Sequence, residues 1–125
     1  MYKVLLIGIG SALGGMCRYG LSSFVHLFLN RSFPYGTFVV NSAGCLLMGF
    51  LFVVLLERFD GIGESLRAFL LIGFLGGFTT FSSFSIETMN LFEQNQNNLA
   101  LLNVVLSVTL CLGLTWIGML IGRQL

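Results

Sequence analysis

Between Gly76 and Ser85 the chain reads GGFTTFSSFS, and five of these ten residues carry hydroxyls although the surroundings are Leu, Ile and Phe. Glu87 follows two positions later. On a helical wheel, at ~100° per residue, Ser83 and Glu87 share a face with Thr80. Phe84, Phe81 and Phe78 step away from it at roughly 40°, 100° and 160°, and Phe81 and Phe84 can meet. Hydroxyl hydrogens are donors, and phenyl rings have positive edges; together they can replace water around an anion. In front stand Gly76 and Gly77, each weakening a helix by roughly 1 kcal/mol. A membrane helix opened at that pair would free carbonyl oxygens able to hold a cation.

Other polar residues stand in equally apolar surroundings. Arg18 lies inside the first apolar run, where a buried cation costs several kcal/mol unless it is paired or reaches water. Asn41 stands near the start of the second run. Asn103, Ser107, Cys111 and Thr115 follow one another at four-residue spacing in the last run, a ladder along one helix face. Glu87 is the one carboxylate within the runs, which argues against a cation path. The residues themselves point to a narrow path suited to a small anion. With His26 as the one histidine and no nucleophile–base pair, nothing suggests an enzyme.

The elements that carry these residues follow from composition. The chain has 125 residues, one domain's length, of which 56% are hydrophobic and 9% charged. Soluble domains carry about 25% charged residues, so this chain cannot coat a water-facing globule. Its mean hydropathy is +0.94. Four runs approach the ~20 residues that cross a bilayer as a helix: about 4–29, 36–56, 66–92 and 99–121. The expected fold is therefore all-α and integral to the membrane, 1–125 forming a single membrane domain. The short links LNRSFPY, ERFDGIGES and EQNQNN hold most of the charge and amide. The first run resembles a signal sequence, but losing it would leave three spans and discard Arg18, so it is expected to stay.

Lys3, Arg58, Arg67 and Arg123 fall on one side of such a bundle and Arg31 on the other, which favours cytoplasmic termini. A net charge of +1 suggests no nucleic-acid partner. Cys17, Cys45 and Cys111 lie in three separate runs without a CxxC, so neither a disulfide framework nor a zinc site is expected. Gly10 and Gly14, with Ser11 and Gly15, and Gly118 with Gly122 have the spacing of close helix contacts.

The same residues resemble the Fluc (CrcB) family of fluoride channels. GSALGGMCRY (Gly10 to Tyr19) is similar to its first helix, PYGTFVVN (Pro34 to Asn41) to the start of its second, and GFLGGFTTFSSFSIE (Gly73 to Glu87) to its third-helix signature; the polar ladder resembles its fourth helix. The resemblance implies a passive channel of a bacterial inner membrane, not an enzyme, that exports fluoride and lowers its cytoplasmic level. It implies an antiparallel, dual-topology homodimer in membrane lipid, with the third helix broken at its Gly-Gly. It further implies a structural sodium ion held by backbone carbonyls of Gly76 and Thr79 from each subunit. The fluoride path would use Asn41, Phe81, Phe84, Ser83, Glu87, Ser107 and Thr115, with Arg18 in a vestibule or a structural role. Two departures are visible: Cys111 stands where a serine is common, and the uneven Lys/Arg count does not suit insertion in both orientations.

Two other readings compete. A small multidrug-type, proton-coupled transporter has the same size and helix number, but needs a membrane carboxylate, commonly in the first helix. The first run here holds Arg18 and no acid. A non-transporting assembly subunit would account for the small-residue contacts, yet not for a polar ladder beside a Phe stripe.

Overall fold

The computed structural model describes residues 1–58 and 63–125; part of the ERFDGIGES link, with Asp60, lies outside the described residues. Four helices are long and apolar enough to cross a membrane: α1 (Tyr2–Phe28), α2 (Tyr35–Arg58), α3 (Glu64–Glu93) and α4 (Asn97–Gln124). Among the described residues there is no strand. Pro34 stands immediately before α2, where a missing N–H costs a helix nothing. The turn between α3 and α4 closes on Asn95, whose φ of 63° is left-handed. Its N–H reaches Phe92 O at 3.0 Å and that of Gln96 reaches Leu91 O at 2.9 Å, the crossed pair that ends a helix at an αL residue.

Two helix pairs make up the bundle, and small residues explain both. Within a bilayer no hydrophobic force drives helices together, so backbones must approach closely enough for dispersion and hydrogen bonds to hold them. Against α1 lies the first half of α3: a Cβ on Gly10 would stand 2.5 Å from Phe69 O, and one on Gly77 2.5 Å from Ser11 O. The Ser11 hydroxyl also donates to Gly73 O at 3.3 Å. Against α2 lies α4, with Gly49 on the Thr115 carbonyl and Gly118 on the Leu46 carbonyl. The expected contacts at Gly10, Gly14, Gly118 and Gly122 are all present, whereas Gly15 faces open space.

Part of each of two helices is wound as π-helix, Val53–Arg58 at the end of α2 and Ala68–Leu75 in the first half of α3. Charged groups gather at that end of the bundle. Lys3 pairs with Glu64, Arg123 lies 3.5 Å from Glu57, and Arg58 donates to Arg123 O at 2.5 Å and to Leu125 O.

The third helix is interrupted, but not at its glycines. Gly76–Phe78 is helical, and the break falls on the next two residues, Thr79 (φ −88°, ψ 158°) and Thr80 (φ −151°, ψ 120°), before the helix resumes over Phe81–Glu93. The reason is packing. Gly77 uses its missing side chain to seat against Ser11, and a helix held that tightly keeps its shape. Extension is left to the threonines, whose β-branched side chains suit it.

Candidate functional site

Asn41 holds the break in place. Its Oδ1 accepts the Thr80 N–H at 2.8 Å and its Nδ2 donates to Thr80 O at 2.8 Å. At helical spacing, Thr80 N–H is the donor that would have reached back to Gly76 O; here Asn41 takes it instead. Two more side chains dress the ends. Thr80 Oγ1 accepts the Ser83 N–H at 3.1 Å and so caps the second half of α3. Arg18 Nε donates to Gly77 O at 3.2 Å, serving a carbonyl released where the first half ends. Thr79 turns its hydroxyl back to Leu75 O at 3.0 Å.

Around the break open two clefts, and Thr80 lines both. The first, about 310 Å³, is walled by Asn41, Phe81, Phe84, Ser107 and Cys111, with Thr79 at the break. The Phe81 and Phe84 rings both line it and lie 5.4 Å apart at 46°, a tilted pair. Phe78, on the far side of the break, leaves the stripe and stacks on Phe74 at 6.1 Å. The second cleft, about 320 Å³, holds Arg18, Ser22, Thr37, Ser83 and Glu87. Glu87 Oε1 accepts the Thr37 hydroxyl at 2.5 Å and borders a further cleft toward His26 and Arg31.

The sequence-derived site residues therefore separate into two groups. Asn41, Phe81, Phe84 and Ser107 share the aromatic cleft, while Ser83, Glu87 and Arg18 share the charged one. Thr115 lines neither cleft: its hydroxyl donates to Cys111 O at 2.9 Å, the i−4 bond by which a helix satisfies its own threonines. The ladder on α4 thus divides. Asn103, 1% exposed, donates to Thr88 Oγ1 at 2.8 Å and accepts the Ser107 hydroxyl at 3.2 Å. Thr88 passes its own hydrogen to Phe84 O at 2.7 Å. This relay ties α4 to the backbone under the Phe pair.

Thr37 and Thr88 were not anticipated, and Thr80 only as a position on a wheel. Thr37 precedes Asn41 by one helical turn, a spacing that signals a shared face. Thr80 matters through its backbone and its cap more than as a face of a wheel. Thr88 carries no sequence signal beyond its place beside Glu87.

No group of three or more His, Cys, Asp or Glu side chains capable of holding a metal occurs among the described residues. A cation at the break would meet oxygen donors. The hard, oxygen-only donors at the break have the chemistry for such an ion, and the Gly76 Cβ position is open, its nearest neighbour being Leu71 O at 3.9 Å.

Residues 5–119 match the family described as CrcB-like protein, Camphor Resistance (CrcB). A protein of Coxiella burnetii (strain CbuK_Q154) named fluoride-specific ion channel FluC is 56% identical over 123 residues, 98% of this chain and 99% of its own length. A protein of the same name from Geotalea daltonii is 46% identical over 125 residues, the whole of both chains. These relatives carry the name of an ion channel, not of an enzyme. With four membrane-crossing helices and a family match over nearly its full length, the chain belongs to the CrcB family of multi-pass membrane proteins.

Proposed function

We propose that this chain is a fluoride channel through which fluoride leaves the cell passively, lowering its cytoplasmic concentration. The observation that carries the reading is the aromatic cleft at the helix break, lined by a tilted Phe pair, an amide and a hydroxyl; the names of the relatives agree with it. Fluoride is small and strongly hydrated, so it enters a narrow path only where donors replace its water. Asn41 spends one amide hydrogen on Thr80 and keeps a second. Phe81 and Phe84 offer ring edges. Ser107 gives its hydrogen to Asn103 and serves an anion after rotating its hydroxyl. In the other cleft, Arg18 raises the local anion concentration, while Ser83 and Glu87 line the route. Thr115 gives its hydrogen to its own helix and, like Ser107, serves an anion only after rotating its hydroxyl.

The assembly proposed is an antiparallel homodimer with dual topology. Phe81 is 77% exposed in the single chain although it lines the cleft, which supports a second copy covering it. Sodium is proposed at the dimer centre, held by the carbonyls of Gly76 and Thr79 from both copies. One chain offers two oxygens, too few for a hard cation, so this site requires the pair. When bound, sodium would supply positive charge beside the anion path and fix the two breaks against each other.

Purified protein in potassium-loaded liposomes, released with valinomycin, is expected to pass fluoride quickly and chloride not at all. Folded protein that moves neither ion would overturn the proposal. Crosslinking that finds parallel dimers alone would remove the antiparallel assembly and leave the channel standing.

A further inference from the structure

The aromatic cleft has a wall that fluoride transport does not use. Cys45 on α2 and Cys111 on α4 both line it. These helices meet backbone to backbone at Gly49 and Gly118, and that approach sets the two thiols in the wall of one cleft. Both are free. Ser42, one helical turn before Cys45 on α2, is 8% exposed and its hydroxyl has no hydrogen-bond partner. Two thiols in one cleft wall, with an unpartnered buried oxygen one helical turn before Cys45, form a donor set between α2 and α4. Cys17, the third cysteine, is exposed on α1.

We propose that Cys45 and Cys111 form a dithiol site for a soft divalent metal ion of the mercuric kind, held between α2 and α4. Thiolate sulfur selects soft metals, and two sulfurs meet the linear coordination that mercuric ion prefers. Zinc, which wants four ligands, is poorly served by two sulfurs and one hydroxyl. The charge balance favours a dication. Each S–H gives its proton to water as its sulfur bonds the metal, so two protons leave for one Hg²⁺ and no net charge is added to the apolar wall. An ion seated there narrows the cleft beside Phe84, a consequence that rests on the channel reading; the binding does not.

The test uses full-length Cys17→Ser protein treated with mercuric chloride, washed with excess glutathione and assayed for metal by mass spectrometry. A chelated ion withstands a monothiol that strips singly bonded mercury. The expected result is retention of about one mercury per chain, at least tenfold less when Cys45→Ser or Cys111→Ser is added, and no comparable retention of zinc. Equal retention after either substitution, or no retention by the parent protein, overturns the site. Mercury should also block fluoride efflux in the parent and not in the Cys45→Ser form. If the parent moves no fluoride at all, the channel reading fails while the metal assay still decides the site.

Discussion

Replacing Asn41 by alanine should release the clamp on the third helix. Both bonds to Thr80 are 2.8 Å long and form a part-buried pair on one residue's backbone. Each contributes about 1 kcal/mol net, and an amide left without a partner costs ~1–3 kcal/mol more. The expected local loss is therefore ~3–5 kcal/mol, which at 1.36 kcal/mol per factor of ten means amide exchange at Thr80 faster by roughly 150-fold or more. Hydrogen exchange with mass spectrometry, followed on a peptide spanning 79–84, reads that change directly. Asn41→Asp is the informative companion, since it keeps the acceptor for Thr80 N–H but sets a carboxylate against Thr80 O. It should also speed exchange. Unchanged exchange in Asn41→Ala would refute the argument that a side chain on α2 fixes the break.

Other consequences follow from the packing and the clefts. Gly10→Ala puts a methyl 2.5 Å from Phe69 O and should destabilise by about 1–3 kcal/mol, lowering the thermal midpoint in detergent. Gly8→Ala, with nothing within 4 Å, should not lower it. A double-mutant cycle on Thr88→Val and Asn103→Ala is expected to give a coupling of about 0.6–1.7 kcal/mol; additive effects would deny the relay its hydrogen bond. Arg18→Leu should cut fluoride efflux at least ~10-fold by removing the cation of the charged cleft. Arg18→Lys keeps the charge but not the planar Nε donor on Gly77 O. Efflux from Arg18→Lys equal to that of the parent would mean that charge alone matters there.

Hydropathy alone delimited the four spans, because twenty-residue apolar runs have few other uses. Close glycine contacts were equally legible at Gly10, Gly14, Gly118 and Gly122. The position of the break was not. Propensity points to Gly76 and Gly77, but those glycines sit in tight helix, and the partner that opens the chain at Thr80 is Asn41, 39 positions away. No local pattern contains that bond. For the same reason a single helical wheel paired Phe81 with Phe84 correctly and misjudged Phe78, since a wheel does not continue across an interruption. Nor does four-residue spacing say what a hydroxyl bonds: on the same ladder that of Ser107 serves Asn103 and that of Thr115 its own helix. Spacing and composition reached a small anion; fluoride itself and the proposed dimer came from family resemblance.

The central claim is that fluoride passes beside the Phe pair at the break. Fluoride and chloride efflux from liposomes should be compared for the parent protein, Phe81→Ile and Phe24→Ile, the last an exposed aromatic on α1 that lines none of the clefts described above. The account expects rapid fluoride efflux without chloride efflux in the parent and in Phe24→Ile, and its loss in folded Phe81→Ile. Efflux from Phe81→Ile at the parent's rate would contradict it.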